Sequence, residues 1–142
     1  MSSIFTRILR GELPGRFVWS DPRCVGMLTI GPITRGHTLV VPREEIDHWI
    51  DVPEDLAAHL MRVAHAIGRG VRAAFGAPRV GLIIAGFEVP HTHLHVIGMR
   101  SMRDLDFANA ERNPEATSLD AAAQELRVAL RRLGYAQVSE RV

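Results

Sequence analysis

The chain contains no lysine: all 17 of its basic side chains are arginine. A Walker-type phosphate loop ends on Gly-Lys and Schiff-base catalysis needs a side-chain amine, so P-loop ATPase and aldolase-like functions are excluded. Cysteine is nearly absent. Cys24 stands alone, so neither an internal disulfide nor a multi-thiolate zinc site can form, and its setting among Val25, Met27 and Leu28 suits a buried, inert thiol. No apolar run approaches the length that crosses a bilayer, and the chain does not open with a basic segment followed by an apolar one. The expectation is a cytoplasmic protein without a membrane partner. Neither sign of charge is in excess, since 17 basic and 16 acidic side chains leave a net +1. No polyanion-binding surface is implied, and nucleic acid is not an expected partner. Internal repeats and domain-separating linkers are missing as well.

What is present fits one α+β domain. The chain's 142 residues, 46% of them apolar, suffice for a core without metal or disulfide staples. Ile4, Phe5, Ile8 and Leu9 have helical spacing, and Gly11 and Pro14 end that short N-terminal helix; it reads as packed on the domain rather than lying on a membrane. Phe17 to Ser20, Val25 to Ile30 and His37 to Val41 read as strands of an antiparallel meander. Pro53-Glu54-Asp55 then opens one long central helix running to Phe75, with Leu56, Leu60, Val63, Ile67 and Val71 on one face. Val80 to Ala85 and His91 to Met99 complete five strands. After the break at Asn113-Pro114, Ser118 starts a C-terminal helix that buries Leu126, Leu130 and Leu133.

The chemistry concentrates in His91-Thr92-His93-Leu94-His95. With Glu88-Val89-Pro90 before it and Val96-Ile97 after, the segment reads as an interior strand. At about 3.3 Å per residue, its three imidazoles would form a row on one face, roughly 7 Å apart, with Thr92, Leu94 and Val96 turned away. One histidine of such a row can act as a nucleophile while its neighbours contact phosphoryl oxygens or a leaving group. The row also suits a zinc or copper site, with His37 as a fourth nitrogen. Purely structural burial explains one histidine better than three in register. His48, His59 and His65 share no motif and read as surface or partly buried residues.

His91 to Ile97 resembles the His-φ-His-φ-His-φ-φ signature of the histidine-triad (HIT) nucleotide hydrolases and transferases, with Thr92 as a soft departure. Ile4 to Pro14 resembles that family's opening segment, and Gly36-His37-Thr38-Leu39-Val40-Val41-Pro42 its first core strand. The resemblance implies a five-stranded antiparallel sheet, a HIT domain over residues 1–110 with 111–142 as a C-terminal helical extension of the same domain, and a homodimer. It also implies a small nucleotide substrate and no cofactor. His93 would attack the α-phosphorus of a nucleotide derivative, of phosphoramidate or dinucleoside polyphosphate type. A nucleotidyl-histidine would follow, for water or another acceptor to resolve. By the same resemblance His91 would orient that ring through its backbone carbonyl and lie near the leaving group, and His95 and His37 would complete the cluster. Ile4, Phe5, Ile8, Leu28 and Ile30 would lie beside the nucleoside.

Departures from the family bear on substrate choice. Thr29 stands where related proteins grip the ribose with Asp or Asn, and offers one hydrogen bond in place of a bidentate grip. Phe87 and Glu88 replace a Gln followed by Ser or Thr. An ionised Glu88 would repel a phosphate by about 1 kcal/mol at 4 Å in water; protonated it would donate, and turned outward it would do neither. The alternative to an enzyme is a non-catalytic nucleotide- or metal-binding module on the same scaffold.

Overall fold

A computed structural model describes all 142 residues. In chain order the elements are α1 (Ile4–Leu9), β1 (Phe17–Ser20), β2 (Cys24–Leu28), β3 (Thr38–Pro42), α2 (Glu54–Phe75), β4 (Arg79–Ile83), β5 (Leu94–Met99) and α3 (Ala116–Arg132). The class is α+β, with one five-stranded antiparallel sheet in the order β1-β2-β3-β5-β4. The first three strands form the expected meander. β5 then inserts between β3 and β4, so His95 is flanked by Leu39 on one side and Ile83 on the other. A side chain there is held by two ladders rather than one.

Period-two alternation divides the strands between two cores. Val18, Cys24, Leu28, Val40, Leu94 and Val96 join Leu56, Leu60 and Ile67 of α2 and Leu126 and Leu130 of α3 in the larger cluster. Phe17, Val25, Met27, Leu39 and Val41 face the opposite way and join Phe5 of α1 in the smaller one. Covered on both faces, β2 and β3 are buried along their whole length and read as continuous apolar runs.

α2 begins one residue later than read from sequence, with Pro53 at the N-cap instead of in the first turn and with Glu54 and Asp55, as expected, against the positive end of the dipole. Gly76 ends it in the left-handed conformation, its N–H donating to the Arg72 carbonyl. The apolar stripe Leu56, Leu60, Val63, Ile67 and Val71 is buried as read from the sequence. No helix is long and apolar enough to cross a membrane.

Several boundaries differ from the sequence reading. β5 starts at Leu94, not His91, and Glu88-Val89-Pro90 is a turn instead of strand. The cause lies in the backbone partners: His91 N–H donates to the Val89 carbonyl at 2.8 Å and Thr92 N–H to the Ile46 carbonyl at 2.7 Å, so neither is free for a ladder. β2 stops at Leu28 because the Thr29 hydroxyl accepts from the Gly31 N–H at 3.2 Å and turns the chain. β4 ends at Ile83, short of Ala85. α3 starts at Ala116, and Leu133 is its half-buried C-cap residue instead of a buried one.

The two sheet edges are treated differently. On β1, Ser20 N–H donates to the Gln137 carbonyl at 2.9 Å, Ser139 N–H to the Val18 carbonyl at 3.3 Å and Arg127 Nε to the Phe17 carbonyl at 2.8 Å. The C-terminal segment therefore occupies that edge. β4 has strand neighbours on one side only, and Arg79, Val80 and Leu82 are exposed.

Candidate functional site

Four histidines from two parts of the chain meet on the α1 face of the sheet. His37 enters just before β3, His95 stands on β5, and His91 and His93 sit in the turn leading into it. The row expected from strand geometry forms only in part, and more tightly: the His93 and His95 ring centroids are 4.8 Å apart, with His37 5.1 Å from His95. Phe5 puts its ring edge-on to His93 at 5.0 Å and to His91 at 5.7 Å. Phe107, from a short 3-10 turn beyond β5, does the same to His95 at 4.9 Å. Two phenylalanines thus bracket the histidines from opposite ends.

Hydrogen-bond partners assign the ring protons. A carbonyl only accepts, so His93 Nδ1, 2.7 Å from the His91 carbonyl oxygen, carries a proton and leaves Nε2 bare. His91 Nε2 donates to the Pro42 carbonyl at 2.8 Å, which leaves its Nδ1 to accept from the Ser3 hydroxyl at 2.7 Å. His37 Nδ1 accepts from the Ile33 N–H at 3.1 Å, so its Nε2 is the donor to His95 Nδ1 at 2.9 Å. His95 must then carry its proton on Nε2. Side by side, the site presents a bare nitrogen on His93 and an N–H on His95.

Burial keeps these rings neutral. It lowers His37 from 6.5 to about 4 and, with His37 and His93 as neighbours, His95 to about 3. His91 is lowered mainly by burial, against the opposing effects of the Pro42 carbonyl and Glu45. His93 is also lowered by burial, partly offset by its bond to the His91 carbonyl and by the charge of Glu88. A neutral imidazole with an unshared pair beside an N–H donor can attack an electrophilic phosphorus and hold one of its oxygens without any prior proton transfer.

The remaining sequence candidates divide. Phe5 is buried against the histidines; Ile8 is half-buried in the smaller core, and Ile4 is largely exposed. Leu28 does not line the site. It lies in the larger cluster, behind the sheet as seen from His95, because alternation turns it toward the helices while Met27 faces the α1 side. Thr29 is half-buried and donates its N–H to the His37 carbonyl at 3.1 Å. Ile30 is 75% exposed and Phe87 fully so, and Glu88 lies at the surface. The His91 ring is fully buried with both nitrogens engaged, so it meets His93 through its carbonyl and offers no ring nitrogen to a leaving group. Phe107 and Ser3 were not singled out from sequence. Leu105-Asp106-Phe107 is an apolar spot in a polar stretch, and Ser3 immediately precedes the helical spacing; neither signal says what the residue touches.

A second polar group lies behind the sheet. Ligand atoms of Asp21, Cys24 and His59 lie within 4.8 Å of one another. Their hydrogen bonds are mutual: Asp21 Oδ2 accepts from Trp19 Nε1 at 2.8 Å and faces His59 Nε2 at 2.9 Å, while Oδ1 accepts from the N–H groups of Arg23 and Cys24. Burial alone would raise Asp21, but these bonds outweigh it and hold the carboxyl at about 2. Burial pushes the Cys24 thiol well above its ordinary range. The group ties the β1–β2 turn to α2, and its cysteine is the inert thiol expected from sequence.

A family model described as HIT domain matches residues 10–102. An uncharacterized HIT-like protein of Mycobacterium tuberculosis is 32% identical over 92% of this chain and 94% of its own. A protein of Arabidopsis thaliana named adenylylsulfatase HINT3 is 28% identical over 91% of this chain and 68% of its own. Among solved structures, a zinc-bound histidine triad family protein from Mycobacterium smegmatis superposes with a TM-score of 0.80, at 32% identity, over 94% of this chain and 96% of its own.

Proposed function

This chain belongs to the HIT domain family, and we propose that it is a nucleotidyl hydrolase or transferase whose nucleophile is His93. The observation that carries the reading is the bare Nε2 of His93 set beside the N–H of His95, in rings that burial keeps neutral. His93 Nε2 forms a bond to the α-phosphorus of a nucleotide derivative as the bond to the leaving group breaks. His95 Nε2–H donates to a phosphoryl oxygen in the transition state, and water or another acceptor then releases the nucleotide from the histidine. His37 fixes the tautomer of His95, and the His91 carbonyl fixes that of His93. Phe5, with Ile4 and Ile8 of the same helix and with Thr29 and Ile30, borders the nucleoside, and Phe107 walls the His95 end.

Substrates are of phosphoramidate or dinucleoside polyphosphate type. The name of the Arabidopsis relative adds nucleotide sulfates to the set worth testing. Glu88 favours leaving groups that carry no further negative charge, because a surface carboxylate near His93 repels them. Residues 111–142 are read as an extension of the same domain, since Leu126 and Leu130 share the larger core. The protein is read as a cytoplasmic homodimer, with the open β4 edge and the Met61 side of α2 as the interface.

The test is chromatography of nucleoside monophosphate released from phosphoramidates, dinucleoside polyphosphates and nucleotide sulfates by wild type and His93→Ala. Release by wild type alone, with a nucleotidyl-histidine trapped on rapid quenching, is the expected result. Binding without turnover in wild type points to the non-catalytic nucleotide-binding module. For the metal-binding version only two ring nitrogens of the four histidines lack a protein partner, His93 Nε2 and His95 Nε2. A metal there needs ligands from outside the cluster, and metal content after purification checks it.

A further inference from the structure

We infer that Ser3, with Thr6 and Glu45 behind it, is a positioning residue for the reaction: it fixes the His91 ring and thereby the carbonyl that holds His93 in its reactive tautomer. The inference rests on the reading of His93 as nucleophile. Ser3 is 88 residues from His91 in sequence, yet its hydroxyl lies 2.7 Å from His91 Nδ1, and both side chains are buried. Because His91 Nε2 is committed to the Pro42 carbonyl, Nδ1 has no proton of its own, and the Ser3 hydroxyl must donate to it.

Ser3 is in turn held from two sides. Its Oγ accepts from the Thr6 N–H at 3.1 Å as the N-cap of α1, and its own N–H donates to Glu45 Oε1 at 2.6 Å. The same carboxylate oxygen accepts from Thr6 Oγ1 at 2.7 Å. These bonds draw Glu45 down to about 2, the Thr6 hydroxyl contributing most, so the carboxylate is ionised at neutral pH. Both nitrogens of the His91 ring are thereby clamped, one to β3 and one to α1. His91 leaves its backbone only one option, and that backbone supplies the 2.7 Å carbonyl contact to His93 Nδ1. Phe5, on the helix that Ser3 caps, touches both rings, so displacement of α1 would reach His93 by two routes.

A Ser3 that merely caps a six-residue helix would affect stability alone. The experiment compares wild type, Ser3→Ala, Ser3→Thr and Glu45→Ala by kcat and KM on whichever substrate wild type turns over, and by nitrogen NMR of the imidazoles. Ser3→Ala is expected to lower kcat about tenfold with KM little changed, since a small misorientation of the reacting ring suffices. Ser3→Thr restores kcat, and Glu45→Ala lowers it less. In the spectra, Ser3→Ala shifts the His91 Nδ1 signal, which loses its hydrogen-bond donor while Nε2 stays protonated against the Pro42 carbonyl, and weakens the Nδ1 proton signal of His93. Unchanged kcat and unchanged His93 signals in a folded Ser3→Ala protein would overturn the inference. If no substrate is turned over, the spectra decide alone: a His93 proton signal that responds to Ser3 supports the clamp while the nucleotidyl reading falls.

Discussion

His37 and His95 are coupled by one shared proton position, and the pair sets how the protein answers to acid. Unfolded, each titrates near the ordinary 6.5; folded, burial holds them at about 4 and about 3. As pH falls below 6.5 the unfolded chain takes up protons that the native state refuses, so stability is complete above 6.5 and declines toward 4. Counting the pair once, the loss is about 2–3 kcal/mol. Asp21 and Glu45, lowered from 3.8 and 4.5 to about 2, withdraw their contributions mainly below 4.5, so the histidine effect stands apart between 6.5 and 4.5. Urea unfolding at pH 7.0, 5.5 and 4.5 is expected to trace this fall, and a His37→Gln/His95→Gln variant to make it shallower, with His91 and His93, also lowered by burial, keeping their share; a wild-type profile already flat there would refute the assignment. At the same scale, lowered His93 places the acid limb of kcat/KM below 6.5. Because the charge of Glu88 raises His93, Glu88→Gln should move that limb lower still. It should also speed polyphosphate substrates relative to phosphoramidates by up to about fivefold, the repulsion expected of one exposed carboxylate.

The elements carry these residues only if their junctions close correctly, and Gly36 is the tightest junction. It has φ +84°, immediately before His37, and a Cβ there would lie 2.1 Å from the Phe75 ring at the end of α2. Gly36→Ala therefore adds left-handed strain to a clash, costing about 2–4 kcal/mol. It also shifts His37 against His95. Denaturant titration checks the first effect. Phe75→Leu in the same background should recover part of the stability if the clash is its source, and none if strain alone is. Gly36 lies in the segment whose resemblance to a core strand was visible in sequence, yet nothing in the sequence says that it meets Phe75. The same limit runs through the molecule. Local periodicity was enough to read α2, its buried stripe and the β1–β2–β3 meander. Period two could not place His91 and His93, because a carbonyl at Ile46 and a tight turn at Val89, not the intrinsic pattern, claim their neighbourhood's N–H groups. The resemblance sets Leu28 beside the nucleoside, whereas the sheet turns it into the larger core; Met27 and Leu28 are equally apolar, and only pairing decides which faces α1. Ser3 and Phe107 reach the histidines through tertiary contacts of 88 and 12 residues' separation from His91 and His95, beyond any local signal.

At the scale of the whole molecule, the unequal sheet edges bear on assembly. β1 gives its outward groups to residues 137–139 and to Arg127, so no further strand can pair there. β4 has no such cover, and an open edge is a template for another chain. Beside it lies a groove between α2 and β4, about 390 Å³ in volume, where exposed Met61, Val80 and Leu82 alternate with Arg69, Arg72 and Arg79. If a second copy pairs there, two antiparallel β4 strands join the sheets, the apolar side chains meet about a two-fold axis, and the arginines are left at the rim. The same operation would bury enough surface for a stable interface only if the facing α2 helices also touch, since a strand pair alone falls short of about 1,000 Å². Val80→Glu/Leu82→Arg puts charge on both positions without entering either core. Sedimentation of wild type is expected at twice the chain mass and of the variant at once, with the far-ultraviolet spectrum retained. A variant that stays dimeric would move the interface elsewhere, whereas a wild-type monomer would mean that the β4 edge is left open in solution. Because β4 pairs with β5 through Ile83 and His95, loss of the partner should also loosen the strand that carries His95. The monomeric variant is therefore expected to keep its substrate affinity and lose turnover, a separation that steady-state kinetics reads directly.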